Sequence, residues 1–241
     1  MRMQGMAALV TGGASELGAE TVRQLAAAGA KVAILDADLA AAQALAIQVG
    51  GLALCCDITH SASTTQALMA ARQAHGPARI LVNCAGVGMA GRDAASPEEL
   101  SRMAQINLIA TLNVIRLAAA DMIAQDAMEN GERGVIIAIS APAPRDGHAG
   151  DAAGNGALAS LTLPLARDLA QFGVRMMTIA PQRFTTPLLQ RLPQVVRHML
   201  AASLPLLKRP NMAGAFATLA LHIVGNLSLN GDVMRLDGAP R

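Results

Sequence analysis

The 241-residue sequence contains no tyrosine and no tryptophan, and its only two lysines are Lys31 and Lys208. Any mechanism that requires a tyrosine hydroxyl is thereby excluded. Cysteine is scarce too. Cys55, Cys56 and Cys84 match neither a disulfide framework nor a zinc site and predict reduced thiols, with no metal bound. Charged residues make up 15% at a formal net charge of +2, and no Lys/Arg cluster stands out, so no nucleic-acid partner is expected. The apolar runs are interrupted short of the ~20 residues of a membrane helix. The opening MRMQGMAALVTGG runs directly into a strand pattern and shows no signal peptide. These readings predict a cytoplasmic, globular protein that touches no membrane.

What is present is an apolar, alanine-rich chain, 53% hydrophobic, of a length suited to one domain over 1–241. Short apolar runs alternate with longer amphipathic stretches. Strands are predicted at Met6–Thr11, Lys31–Asp36, Leu52–Cys56, Arg79–Cys84, Gly134–Ser140, Val174–Ala180 and Asp232–Leu236. Helices are predicted near 15–29, 38–49, 61–75, 97–128, 151–172 and 211–224. This alternation implies an α/β fold: a doubly wound, Rossmann-like parallel sheet of about seven strands with helices on both faces. Such sheets bind ligands beyond the carboxyl ends of their strands. The irregular stretch 181–212 follows one such end and is a candidate substrate lid.

Between the first strand and the first helix stands TGGASELG, residues 11–18. Glycines such as Gly12 and Gly18 permit a tight turn, and backbone N–H groups at the helix start can hold a pyrophosphate. Asp36 ends the second strand, 18 residues beyond Gly18. A carboxylate there can accept hydrogen bonds from an adenosine ribose and would repel a 2′-phosphate, which favours NAD over NADP.

Together with Asp57 in CDIT, Asn83-Cys84-Ala85-Gly86, Asn107 in INLIATLNVIR and the IAP ending at Pro181, these motifs resemble the short-chain dehydrogenase/reductase family over nearly the whole chain. The segments TLPLARDLA (162–170), MTIAP (177–181), TPLL (186–189) and LNGDVMRLDGAPR (229–241) look like the equivalents in its type 2 3-hydroxyacyl-CoA dehydrogenase subgroup. The resemblance implies NAD contacts at Ser15, Leu17, Asp36, Asp57, Ile58, Cys84, Phe184 and Thr186, beside the motif residues Gly12, Gly18, Asn83, Ala85, Gly86 and Pro181. It implies an active-site role for Asn107, next to the structural alternative that Asn83 and Asn107 satisfy buried backbone groups. It also implies a small-molecule substrate, such as an acyl-CoA, and a homo-oligomer, dimer or tetramer, paired through the alanine- and leucine-rich helices near 97–128 and 151–172.

The pattern breaks in two places. The family has glycine where this chain has Glu16. That side chain either enters the pyrophosphate turn or swings into solvent, where it favours the positive end of the helix dipole. The family also uses a serine after the fifth strand and a Tyr-x-x-x-Lys pair. Counting back from TLPLARDLA places Asp151 and Asn155 at the pair. Counting forward from GVIIAIS places Ala141 at the serine, beside Ser140, and Gly154 and Leu158 at the pair. The two counts differ by three residues, and the deletion is placed in the loop APAPRDGHAG. Neither count recovers a tyrosine or a lysine. Ser140, Asp146, His148 and Asp151 could substitute as acid or base, or be solvated turn residues. Three readings follow: a redox enzyme with weak or absent hydride transfer, a catalytically silent ligand-binding or partner subunit, and a non-redox acid/base enzyme using Asp151 or His148.

Overall fold

The computed structural model describes residues 1–87, 96–140, 149–181 and 213–237. Seven strands form one parallel sheet: β1 (Ala7–Thr11), β2 (Lys31–Asp36), β3 (Leu52–Cys55), β4 (Ile80–Asn83), β5 (Gly134–Ile139), β6 (Val174–Pro181) and β7 (Val233–Leu236). Their order is β3-β2-β1-β4-β5-β6-β7. Among the described residues the helices are α1 (Glu16–Ala27), α2 (Leu39–Val49), α3 (Ser61–His75), α4 (Pro97–Ala104), α5 (Thr111–Ile123), α6 (Ala149–Ala170) and α7 (Ala213–Gly225). The predicted doubly wound sheet is the observed one.

Alternate strand residues feed two cores, which is why the strands read as unbroken apolar runs. Leu9, Leu35, Leu81 and Ile136 pack beneath α3, α5 and α6. Val10, Ile34, Val82 and Ile137 pack beneath α1, α2 and α7. With only three phenylalanines in the chain, aliphatic residues fill both layers, and Phe216 of α7 is fully buried in the second.

The helix predicted over 97–128 differs in two ways. It stops at Ile123. The alanine-rich pattern runs on, but the guanidinium groups of Arg133 and Arg79 take the carbonyls of Gln125 and Asp126 at 2.8 and 3.0 Å and turn the chain back towards β5. It also contains a π-helical segment, Gln105–Ala110, between α4 and α5. By length and composition alone Pro97–Ile123 is long and apolar enough to cross a membrane. It is nevertheless a packing helix of this domain, burying Met103, Val114, Ile115, Ala118 and Met122.

Candidate functional site

The strand order reverses between β1 and β4, and that switch point is where open parallel sheets take their ligands. The turn after β1 is built for close approach. Gly12 has φ +58°, and a Cβ there would lie 2.7 Å from the Ala85 nitrogen of the segment after β4. A Cβ on Gly18 would lie 2.1 Å from the Gly12 carbonyl oxygen. Ser15 caps α1: its hydroxyl donates to the Gly12 carbonyl at 2.6 Å and accepts from Gly18 N–H at 3.2 Å. The first N–H groups of a helix have no partner within it, so those of Glu16 and Leu17 face the region where an anion would sit. Glycine at 12 and 18 lets the turn pack directly against the segment after β4 and against α1, and this compact turn with the N-terminus of α1 fits a dinucleotide pyrophosphate.

Glu16 is the first residue of α1, and its side chain is largely exposed. Partial burial raises its carboxyl above the ordinary range. The side chain thus reaches solvent, while partial burial disfavours its charge.

Asp36 ends β2, and its two oxygens accept N–H groups of Ala14 (2.8 Å) and Asp38 (2.9 Å). Asp57 follows β3. Its Oδ1 accepts the N–H and hydroxyl of Thr59 at 2.9 and 2.7 Å, and its Oδ2 lies 3.0 Å from His60 Nδ1. The Thr59 hydrogen bonds, then His60, hold this carboxyl below the ordinary range. Ile58 is buried in the core beneath α3. The Cys84 thiol is buried in the core beneath α1, and burial pushes it up to about 12. Any ligand contact at 84 therefore comes from the main chain. Cys56 is buried likewise and pushed up to about 11, and all three cysteines are free thiols.

A buried polar chain crosses the switch point. Thr11 donates its hydroxyl to Asn83 Oδ1 at 2.6 Å, and Asn83 Nδ2 donates to the Thr111 hydroxyl at 3.2 Å. Thr111 in turn donates to the Ile106 carbonyl, five residues back, at 3.3 Å. That bond ties down the π segment, the kind of local unwinding often found at functional sites. Asn107 sits within this segment, 6% exposed. Its side chain clamps Val87, accepting the N–H at 2.9 Å and donating to the carbonyl at 2.8 Å. Asn107 thus satisfies backbone groups, as the structural alternative has it, while Asn83 bonds two hydroxyls and reaches the Ala85 carbonyl only at 3.4 Å; the fold still carries Asn107 to the strand ends. Sequence reasoning missed Thr111, whose one signal is a hydroxyl placed four residues after Asn107 on an otherwise apolar helix face.

Ser140 is buried directly after β5, and Pro181 ends β6. Positions 151 and 155 lie in the first turns of α6, but their side chains are outside the described residues, as are Ala141, Asp146, His148, Phe184, Thr186 and nearly all of the candidate lid. Leu158 is 1% exposed and packs into the core. A site lysine could not occupy that position, which argues for the count that ends on Asn155. Lys31, the one lysine among the described residues, begins β2 and so stands at the opposite end of the sheet from the turn.

This topology, with its glycine turn and capped α1, defines a class. The chain belongs to the short chain dehydrogenase family, whose model matches residues 6–196. Within it the chain is similar to the 3-hydroxyacyl-CoA dehydrogenase type-2 of Bos taurus, at 39% identity over 251 aligned residues that cover 99% of this chain and 96% of that protein. The enzyme of the same name from Drosophila melanogaster is 39% identical over 245 residues, covering 97% and 96%. Among solved structures, 3-hydroxyacyl-CoA dehydrogenase type-2 from Mycobacterium avium superposes with a TM-score of 0.92 at 34% identity, over 98% of this chain and 96% of that one. A 3-ketoacyl-(acyl-carrier-protein) reductase from Brucella melitensis, solved in complex with NADH, gives 0.87 at 29% identity over 98% of each chain.

Proposed function

We propose that the protein binds NAD(H) in preference to NADP(H) and a small acyl-thioester-like ligand such as an acyl-CoA, and that it turns such a ligand over by hydride transfer weakly or not at all. The observation that carries the second half is the absence of tyrosine from the sequence, with Lys31 at the far end of the sheet. NAD(H), when bound, supplies hydride chemistry. This chain's own part is to seat the pyrophosphate on the glycine turn, to present Asp36 to the adenosine ribose, and to move a proton at the substrate oxygen. The last task lacks its usual groups. Asn155 carries no positive charge. Asp151, where ionised, adds a negative charge beside a developing alkoxide in the reductive direction. The relatives' names support an acyl-CoA as the ligand class, and the cradle supports the dinucleotide.

A second reading, a ligand-binding or partner subunit in a homo-oligomer, draws on surface apolar residues. Ile109 in the π segment is 52% exposed and Leu163 on α6 is 46% exposed. They lie on the two stretches expected to pair across subunits. The test is NADH with acetoacetyl-CoA followed at 340 nm, beside calorimetric titration of each ligand, and the non-redox alternative, with Asp151 or His148 as base, is separated by following acetoacetyl-CoA itself, which it would consume without NADH. Binding without turnover supports the proposal. Robust NADH oxidation overturns it.

A further inference from the structure

We infer that Asp36 is a positioning residue for the phosphate turn as well as the group that selects the dinucleotide; this rests on reading that turn as a dinucleotide cradle. Its oxygens serve two separate segments. Oδ1 accepts Asp38 N–H at 2.9 Å, which starts the bend from β2 into α2. Oδ2 accepts Ala14 N–H at 2.8 Å, 22 residues earlier, in the middle of the glycine turn. One residue before, Gly13 N–H donates to the Leu35 carbonyl at 3.3 Å. The turn thus hangs from the end of β2 at two consecutive residues, once through main chain and once through a carboxylate. The carboxylate bond is the shorter, and hydrogen bonds to a charged acceptor are the stronger kind.

The other bonds at the turn cannot replace it. Ser15 closes back onto Gly12 and Gly18 within the turn itself. They shape the loop but do not fix it to the sheet. Ala14 N–H, given to Asp36, is also withdrawn from the donors a phosphate could use, which leaves that work to the first N–H groups of α1. Selectivity and cradle geometry are therefore coupled through one side chain. Neutralising Asp36 to admit a 2′-phosphate has two opposed effects: it removes a repulsion, and it releases the turn that holds the phosphates common to both dinucleotides.

Two substitutions separate these effects. Asp36→Asn loses the charge but keeps one acceptor oxygen. Asp36→Ala loses both, and Asp36→Ser, too short to reach Ala14, replaces it should the alanine variant fail to fold. Amide hydrogen exchange at Ala14 in the unliganded protein reads the turn directly. Exchange is expected to be roughly tenfold faster or more in Asp36→Ala than in the unmodified chain, with Asp36→Asn between them. In calorimetric titration, Asp36→Asn is expected to gain NADPH binding, and Asp36→Ala to bind NADPH roughly tenfold more weakly than Asp36→Asn. Equal Ala14 exchange in all three proteins, or equal NADPH affinity in the two variants, overturns the inference. If no dinucleotide binds to any of them, the dinucleotide reading has failed, and the exchange rates alone decide whether Asp36 holds the turn.

Discussion

Asn107 and Val87 are joined by two antiparallel hydrogen bonds: Val87 N–H donates to Asn107 Oδ1 at 2.9 Å, and Asn107 Nδ2 donates to the Val87 carbonyl at 2.8 Å. A side-chain amide here does what a neighbouring strand would do, continuing the pairing of the chain past the end of β4. The π segment Gln105–Ala110 carries that amide. The carboxamide geometry is also specific, because one oxygen must accept while one nitrogen donates.

Replacing Asn107 with alanine leaves both Val87 groups without their partner. Losses of this kind cost about 1–3 kcal/mol. Asn107→Asp is expected to be no better, since a carboxylate cannot donate to the Val87 carbonyl. Urea denaturation of both variants provides the check, and an unchanged midpoint would show that the clamp contributes nothing.

Glu16 sets an expectation about pH. Partial burial raises its carboxyl above the ordinary value of 4.5, so the folded state disfavours its charge, and stability is lost as pH rises through the raised value. A pyrophosphate bound close by would raise it further. Dinucleotide affinity should therefore increase as pH falls through the raised value, and Glu16→Gln should flatten this trend. The difference between the unmodified chain and Glu16→Gln is the readout. At neutral pH Glu16→Gly should tighten NADH binding. Identical pH profiles for the unmodified chain and Glu16→Gln would remove Glu16 from the account.

Catalysis should respond to restoring the missing pair. Acid–base assistance is typically worth ~10²–10⁴ in rate. Asp151→Tyr with Asn155→Lys is expected to raise acetoacetyl-CoA reduction above that of the unmodified chain, and more so with glycine at 16. The 340 nm assay decides. Brisk turnover by the unmodified protein would point to another proton donor, with Ser140 and His148 the first to mutate.

Assembly is tested at Leu163, exposed on α6. Light scattering of the unmodified chain at micromolar concentration should give a dimer or tetramer mass, and Leu163→Glu should lower it. A monomer mass for the unmodified chain would refute the paired-helix expectation.

The positions of the strands and most of the helices were legible in the sequence because their causes are local or periodic. Buried parallel strands must be apolar on both faces, as in KVAILD and GVIIAI. Helix starts need caps, and Ser15, Asp38 and Ser96 supply them. The missing tyrosine is a fact of composition, and no fold can restore it. Tertiary structure decided what depends on partners far along the chain. Helix α5 ends at Ile123 because Arg79 and Arg133 claim the next carbonyls. The Cys84 thiol is buried in the core beneath α1, beside Thr21. Leu158 is excluded as a lysine equivalent only by its burial. Asp36 stood out in the sequence as a candidate for a ribose-facing carboxylate from its place after a strand, but its grip on Ala14 did not. That bond spans 22 residues, and no local pattern records which of the carboxylate's oxygens the folded turn will take.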